Sequence, residues 1–261
     1  CIVYALDAIR RKHAQDEPIA FVHSDHYVRD IDGYVKSLHQ AADISVSESK
    51  ITLIGIEPTY PATVFGYIER AEGIDESKSA YKIASFKEKP DFETAGNYLK
   101  KGTFLWNCGY FVGSVNTFLS EIKKVSPELD AHVSKLSNAD NQSERENAYL
   151  DFDDQVIDYA LSEKSTNLAV VSASFDWMDV GSFRDLHSVV ETDVDGMHLS
   201  GENIHTIDLE NSYIRNEEPG KPIAVIGLDN IVVVNTPNGI LISRKDVSQK
   251  AGEVAKKIQQ P

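Results

Sequence analysis

Asp25 and Asp179 each stand a few residues after a short apolar run, PIAFVH before Asp25 and LAVVSA before Asp179. Carboxylates at strand ends are well held, and two of them can share a Mg²⁺, an ion that takes a few carboxylates together with waters and substrate phosphates. Each also has a plainer reading. Asp25 could cap the helix that follows it, and Asp179 could make a turn, because aspartate is common in both places. His26 could serve as a ligand or simply pack beside the strand end. The triplet Lys87-Glu88-Lys89 closes another strand-like run. A carboxylate there can accept two hydroxyl hydrogen bonds from a pyranose. An ammonium one residue later, pointing to the opposite side, can meet a phosphate. A solvated charge run is the alternative, and Lys87 reads as solvent-facing. Asn107 offers a donor and an acceptor suited to sugar hydroxyls, or marks a turn. Gly66, in FGYI, would let a substrate approach the backbone closely, or marks a bulge. Trp106 and Trp177 read as core. No Walker loop, GxGxxG, nucleophile elbow or HExxH is present, which leaves acyl transfer and zinc hydrolysis without support.

The elements that must hold these residues follow from periodicity. Pro18–His23 and Ile51–Ile56 read as buried strands. Between them Ile31, Tyr34, Val35, Leu38 and Ala42 keep helical spacing. Strands alternating with helices imply βαβ units and a mostly parallel sheet. Gly66–Arg70 and Tyr81–Lys87 are further strands. Asp91 should cap a helix ending at Lys101–Gly102. Phe104–Trp106 and Gly109–Val112 read as a pair of extended segments, Ser114 caps the next helix, and residues 127–163 read as helix broken near 138–141. Leu168–Ala173 is a strand, and Ser182 caps a helix from Phe183. From about Asp193 short strands crowd together, with Asn238-Gly239 as a two-residue hairpin turn. The repeated NSYI and NIVVV runs suggest a coil or two of β-helix. A boundary near 193–200 is therefore expected, dividing residues 1–195, which the resemblance given below makes the catalytic domain, from 196–261, a small β-rich domain with a terminal helix.

Composition narrows the function. With 26 basic and 41 acidic residues the net charge is −15. Such a surface repels nucleic acid and anionic lipid, so neither is an expected partner, and an anionic substrate must be met by local lysines or a metal. Two cysteines, Cys1 and Cys108, give no disulfide framework, which points to a reducing, cytoplasmic setting. No apolar run approaches the ~20 residues of a membrane span, and none reads as a signal peptide.

Taken in order, SDH at 24–26, GIEPTYPATVFGYIE at 55–69, FKEKPDFETAGNYLKKGTFLWNCGYF at 86–111, FDWMDVGSF at 175–183 and AVIGLDNIVVVNTPNGILISRKD at 224–246 resemble the mannose-1-phosphate guanylyltransferase family of sugar nucleotidyltransferases. The resemblance implies a Rossmann-like mixed sheet flanked by helices, with a small C-terminal β module such as a short left-handed β-helix. It implies that mannose 1-phosphate attacks the α-phosphorus of GTP in line, giving GDP-mannose and pyrophosphate with Mg²⁺ as cofactor. By the same carry-over Asp25 and Asp179 hold the metal, Glu88, Asn107 and the Gly66 backbone hold the mannose, and Lys89 holds its phosphate; Asp25, Lys89 and Asp179 are thus the catalytic set. The chain departs from the family at His23, Val64-Phe65, the Cys108 and Tyr110 of WNCGYF, and Phe183, which bears on sugar selectivity. Another hexose 1-phosphate, or a silent GDP-mannose-binding regulatory subunit, are the competing readings. Nothing matches the family's glycine-rich nucleotide loop. The chain opens at Cys1 inside an amphipathic pattern, so that loop is expected upstream, and residues 1–261 alone are expected to show no turnover. The edge-rich tail offers a means of pairing two copies as a homodimer.

Overall fold

A computed structural model of the chain describes residues 1–13 and 16–259. Two compact units emerge, Cys1–Ser24 with Val28–Trp177, and Asp25–Tyr27 with Met178–Pro261. In chain order the first elements are α1 (Ile2–Lys12), β1 (Pro18–Phe21), β2 (His26–Val28), α2 (Ile31–Glu48), β3 (Ile51–Ile56), β4 (Tyr67–Asp75), β5 (Ala80–Lys87), α3 (Phe92–Lys101) and β6 (Phe104–Ser114). Then come α4 (Val115–Val125), α5 (Pro127–Ser137), α6 (Gln142–Leu150), a π-helical turn at Asp158–Ser162, β7 (Leu168–Ala173), β8 (Trp177–Asp179) and α7 (Phe183–Val189).

The first unit is a six-stranded sheet in the order β1-β6-β3-β7-β5-β4, with β4 also pairing β6. Side chains alternate across β3 and β7, and each set meets its own helix layer. Ile51, Leu53, Leu168 and Val170 join Leu6 of α1, Phe118 and Ile122 of α4 and Leu136 of α5 in one buried cluster. Ile54, Ala169 and Val171 pack with Ala41 and Ile44 of α2 in another. Strands covered on both faces explain why ITLIGI and LAVVSA are apolar nearly throughout.

The sheet is mixed rather than mostly parallel. Among the described residues β3–β7 is its one parallel pairing, while β1–β6, β3–β6, β4–β5, β4–β6 and β5–β7 run antiparallel. The link from β4 to β5 is the 3₁₀ turn Glu76–Lys78 and Ser79, far too short for the crossover that parallel neighbours need. The expected break between Phe104–Trp106 and Gly109–Val112 is a bulge inside one strand. β3 pairs Leu53 with Phe111 but Gly55 with Asn107, so β6 carries extra residues there, and Gly109 takes φ +70. Caps fall where the residue types place them: Asp91 and Ser114 accept from the backbone N–H groups of Thr94 and Thr117, and Gly102 ends α3 at φ +68. The helical run expected to end at 163 stops at Leu150, and the π turn follows it after a gap. No helix among the described residues is long and apolar enough to cross a membrane.

The second unit continues with β9 (His198–Gly201), β10 (Ile204–Glu210), β11 (Tyr213–Asn216), β12 (Ile223–Asp229), β13 (Ile231–Thr236), β14 (Gly239–Arg244) and α8 (Ala251–Gln259). β9, β11 and β13 stack in parallel, as do β10 and β12. Equivalent asparagines stack with them: Asn211 Nδ2 donates to Asn230 Oδ1 (2.7 Å), and Asn235 Nδ2 to Asn216 Oδ1 (2.9 Å). Asn203, Asn211 and Asn230 all have positive φ, so these asparagines form the corners of successive coils. The hairpin turn shifts by one residue from the expected Asn238-Gly239. β13 and β14 pair Thr236 with Gly239, leaving Pro237-Asn238 as the loop, because the Thr236 hydroxyl donates to the Gly239 carbonyl and accepts from Asn238 N–H.

Candidate functional site

Register builds the first candidate cluster. β4 pairs Tyr67 with Lys87 of β5 on one side and with Trp106 of β6 on the other. One step along these ladders, Gly66, Glu88 and Asn107 must stand side by side. Asn107 N–H donates to the Gly66 carbonyl at 2.8 Å, and Glu88 and Asn107 are each only 8% exposed. A Cβ on residue 66 would lie 2.5 Å from Glu88 Oε2, 3.2 Å from Phe86 and 3.3 Å from Asn107 Cβ. Glycine is therefore what lets the three residues converge, and the nearest group over it is the Glu88 carboxylate.

Asn107 is pinned at both ends of its amide. Its Nδ2 donates to Asp158 Oδ1 (2.9 Å), and its Oδ1 accepts from Gly109 N–H (3.1 Å). The positive φ of Gly109 brings its backbone into position, and a side chain there would collide with His23 Nε2 at 2.5 Å. Glu88 is held at its backbone, where its N–H donates to Glu163 Oε1 (3.1 Å). Burial pushes the Glu88 carboxyl above the ordinary glutamate range, the negative charge of Asp158 adds to this, and Lys89 opposes it. Burial likewise raises the Asp158 carboxyl.

Lys89 departs from the expected alternation. It has φ +44, which breaks the strand geometry, and its Nζ returns to 3.6 Å from Glu88 Oε1 instead of pointing to the opposite side. The carboxylate and the ammonium thus face one region, the ammonium still largely exposed. Lys87 is exposed as expected, and it also reaches Glu163 Oε1 at 3.5 Å. Trp106 is buried in an aromatic cluster with Tyr60 and Phe65, and Phe65 also meets Trp177, so both tryptophans serve packing.

Sequence reasoning missed Asp158 and Glu163. The one signal was an acid set in the apolar run Val156-Ile157-Asp158-Tyr159-Ala160-Leu161, since a carboxylate there must find a donor.

Asp25 and Asp179 belong to the second unit. Asp25 leads into β2, Asp179 ends β8, and these two strands pair as a two-stranded ladder. Both residues are exposed. Neither side chain caps a helix: Asp30 caps α2 by accepting from Gly33 N–H, and Ser182 caps α7 by accepting from Asp185 N–H. Asp179 does enter a turn, but through its carbonyl, which accepts from Gly181 N–H. Asp25 and His26 bring a carboxylate oxygen and a ring nitrogen within 4.8 Å of each other. Exposed carboxylate oxygens, one just before β2 and one at the end of β8, are donors of the kind a hard divalent cation takes.

The order of these pieces along one mixed sheet, followed by a stacked β tail, matches a known pattern. Residues 1–196 fit the model of the family described as Nucleotidyl transferase. The chain belongs to that family. Residues 201–258 fit the MannoseP isomerase/GMP-like beta-helix domain, in agreement with the stacked coils. The chain is 34% identical over 253 residues to proteins named mannose-1-phosphate guanylyltransferase from Escherichia coli and from Klebsiella pneumoniae, which covers 94% of this chain and 53% of each relative. It thus spans about half the length of the curated relatives it matches. A solved structure named mannose-1-phosphate geranyltransferase, from Thermus thermophilus, superposes with a TM-score of 0.84 at 26% identity, covering 99% of this chain and 74% of that one. The nucleotidyltransferase α/β fold with a β-helix-like C-terminal domain agrees with the sequence reading.

Proposed function

We propose that this chain carries the sugar-phosphate side of a guanylyltransferase, which transfers GMP from GTP to mannose 1-phosphate and gives GDP-mannose and pyrophosphate. The observation that carries this reading is the register-enforced convergence of Gly66, Glu88 and Asn107 beside the Lys89 ammonium, in a chain 34% identical to proteins named for that activity. Glu88 accepts hydrogen bonds from two neighbouring sugar hydroxyls. The N–H of Asn107 not engaged by Asp158 donates to another oxygen of the ring. Lys89, one residue from Glu88 and on the same side, holds the phosphate as a point charge. Its phosphate oxygen then forms a bond to the α-phosphorus of GTP as the bond to pyrophosphate breaks, a reaction governed by positioning and charge neutralisation. Asp25 and Asp179 would hold Mg²⁺, and the ion would supply positive charge to the phosphates when bound. Residues 1–195 are assigned to the chemistry and 196–261 to the β module.

The test is titration calorimetry and a pyrophosphate-release assay on the natural gene product, with mannose, glucose and galactose 1-phosphates against GTP, ATP, UTP and dTTP. Preference for mannose 1-phosphate with GTP is expected. A better turnover with another sugar or base reassigns the substrates, and nucleotide-sugar binding without turnover makes the protein a regulatory subunit.

A further inference from the structure

The π-helical turn Asp158–Ser162 has no part in the reading above, yet both its ends reach the sugar-facing residues. Its hydrogen bond runs from Glu163 N–H to the Asp158 carbonyl (2.9 Å), five residues apart. On an α-helix five residues turn through about 500°, so positions 158 and 163 would face directions roughly 140° apart. The wider turn closes one residue later and brings Glu163 over Asp158. Asp158 Oδ1 then holds the Asn107 amide (2.9 Å), and Glu163 Oε1 holds the Glu88 backbone N–H (3.1 Å). Asn107 of β6 and Glu88, the residue that follows β5, are gripped by acids at the two ends of one turn. Wide turns of this kind recur at functional sites, where they aim side chains that a regular helix cannot.

We infer that Asp158 and Glu163 are positioning residues for sugar-phosphate binding, with Asp158 acting through Asn107 and Glu163 through the Glu88 backbone. The inference rests on the assignment of Glu88 and Asn107 to the sugar. Asp158 fixes which way the amide of Asn107 faces: with Nδ2 on the carboxylate and Oδ1 on Gly109 N–H, the amide cannot flip, and its second N–H has one direction left. Without the carboxylate the amide regains its alternatives and part of the binding energy is spent on ordering it.

The experiment measures mannose 1-phosphate and GTP affinities separately by calorimetry on the natural gene product. Asp158→Ala is expected to weaken mannose 1-phosphate about tenfold, in keeping with loss of one hydrogen bond to a charged partner, and to leave GTP unchanged. Asp158→Asn keeps an acceptor oxygen and should restore most of the affinity. In an Asn107→Ala background Asp158→Ala should add nothing, because its route is gone. Glu163→Ala should weaken the sugar phosphate by a few-fold and Glu163→Gln should recover most of it, since the amide oxygen can still accept the Glu88 backbone N–H. Asp158→Ser, small and polar, replaces the alanine if that variant does not fold. The inference is overturned if Asp158→Ala binds like the parent, if its effect adds to that of Asn107→Ala, if GTP weakens equally, or if neither Asp158→Ala nor Asp158→Ser folds. A parent that binds no mannose 1-phosphate overturns the underlying assignment as well, and so is told apart from these.

Discussion

The Gly66/Glu88/Asn107 cluster, assigned above to the sugar, and the Asp25/Asp179 pair differ in how they are held. Glu88 and Asn107 are buried, locked by sheet register, and tied through Asp158, Glu163, Gly66 and Gly109 before any ligand is considered. Asp25 and Asp179 are exposed at the ends of short strands and serve no helix as caps. Reading hydroxyl positions on a sugar demands fixed donors and acceptors, because a misplaced buried polar group is penalised. Binding a hydrated cation demands charge and access, and rigidity matters less because water completes the coordination. Substitutions in the two regions should therefore fail in different ways.

The largest effect should fall on the exposed acids. Asp179→Asn is expected to lower kcat by about 10³-fold, the several kcal/mol that a metal's charge contributes to phosphoryl chemistry. Mannose 1-phosphate affinity should stay within about twofold in titrations without metal, since the substitution then removes only a charge that the metal-free sugar phosphate does not need. Steady-state assays with Mg²⁺ check this on the natural gene product, and turnover within tenfold of the parent would break the contrast. Next comes Glu88→Gln, which should weaken mannose 1-phosphate about thirtyfold while GTP affinity holds, as expected for hydrogen bonds made to a charged acceptor. Equal loss of both ligands in calorimetry would mean that Glu88 reads something other than the sugar.

Gly66→Ala should be milder. The new methyl would lie 2.5 Å from Glu88 Oε2, the end of a side chain that can rotate away, so the strands survive while the carboxylate moves. A fall of about fivefold in mannose 1-phosphate affinity with little change in Tm is expected. A large drop in Tm with normal affinity would recast Gly66 as a packing residue.

The same contrast explains how far the sequence could be read. Asp91, Ser114 and Ser182 announce their caps because N-capping is a local contest between a side chain and the next few backbone groups, and Gly102 because it takes a positive φ at no steric cost. Glu88, Asn107 and Gly66 could be suspected from residue type, and the family resemblance put them together. Their contact depends on strand register between segments far apart in sequence, which no local pattern records. Strand direction failed for the same reason: the alternation of helices and strands suggested parallel pairing, but β6 inserts antiparallel to β1, β3 and β4. Lys89 misled because the residue before a proline is biased to extended backbone, which keeps strand alternation, whereas Lys89 takes φ +44. Asp158 and Glu163 were hidden because a π turn changes the spacing at which helical residues meet. In the tail the repeated NSYI and NIVVV runs were legible, whereas β9, the short HLSG, carries too little β-branched or aromatic character to stand out.

The smallest effect sharpens the contrast at its physical root. A buried carboxylate whose folded-state pKa is raised binds its proton more tightly in the folded protein than in the unfolded chain. Its ionised form therefore opposes folding: stability declines as pH climbs from the unfolded value of 4.5 through the raised folded value, and the penalty is complete above it. Glu88 is in this position, from burial first and from the Asp158 charge second. In the ligand-free protein, carbon-detected NMR should place its titration midpoint above 4.5, and Asp158→Asn should bring that midpoint down. Glu88→Gln should consequently melt no lower than the parent at neutral pH, and its advantage should vanish in melts at pH values below 4.5. A variant that gains or keeps stability while losing its sugar phosphate marks Glu88 as a group held against its own solvation for a ligand. If Glu88→Gln instead melts lower at neutral pH, the ion pair with Lys89 at 3.6 Å outweighs desolvation, and Glu88 is a structural acid after all.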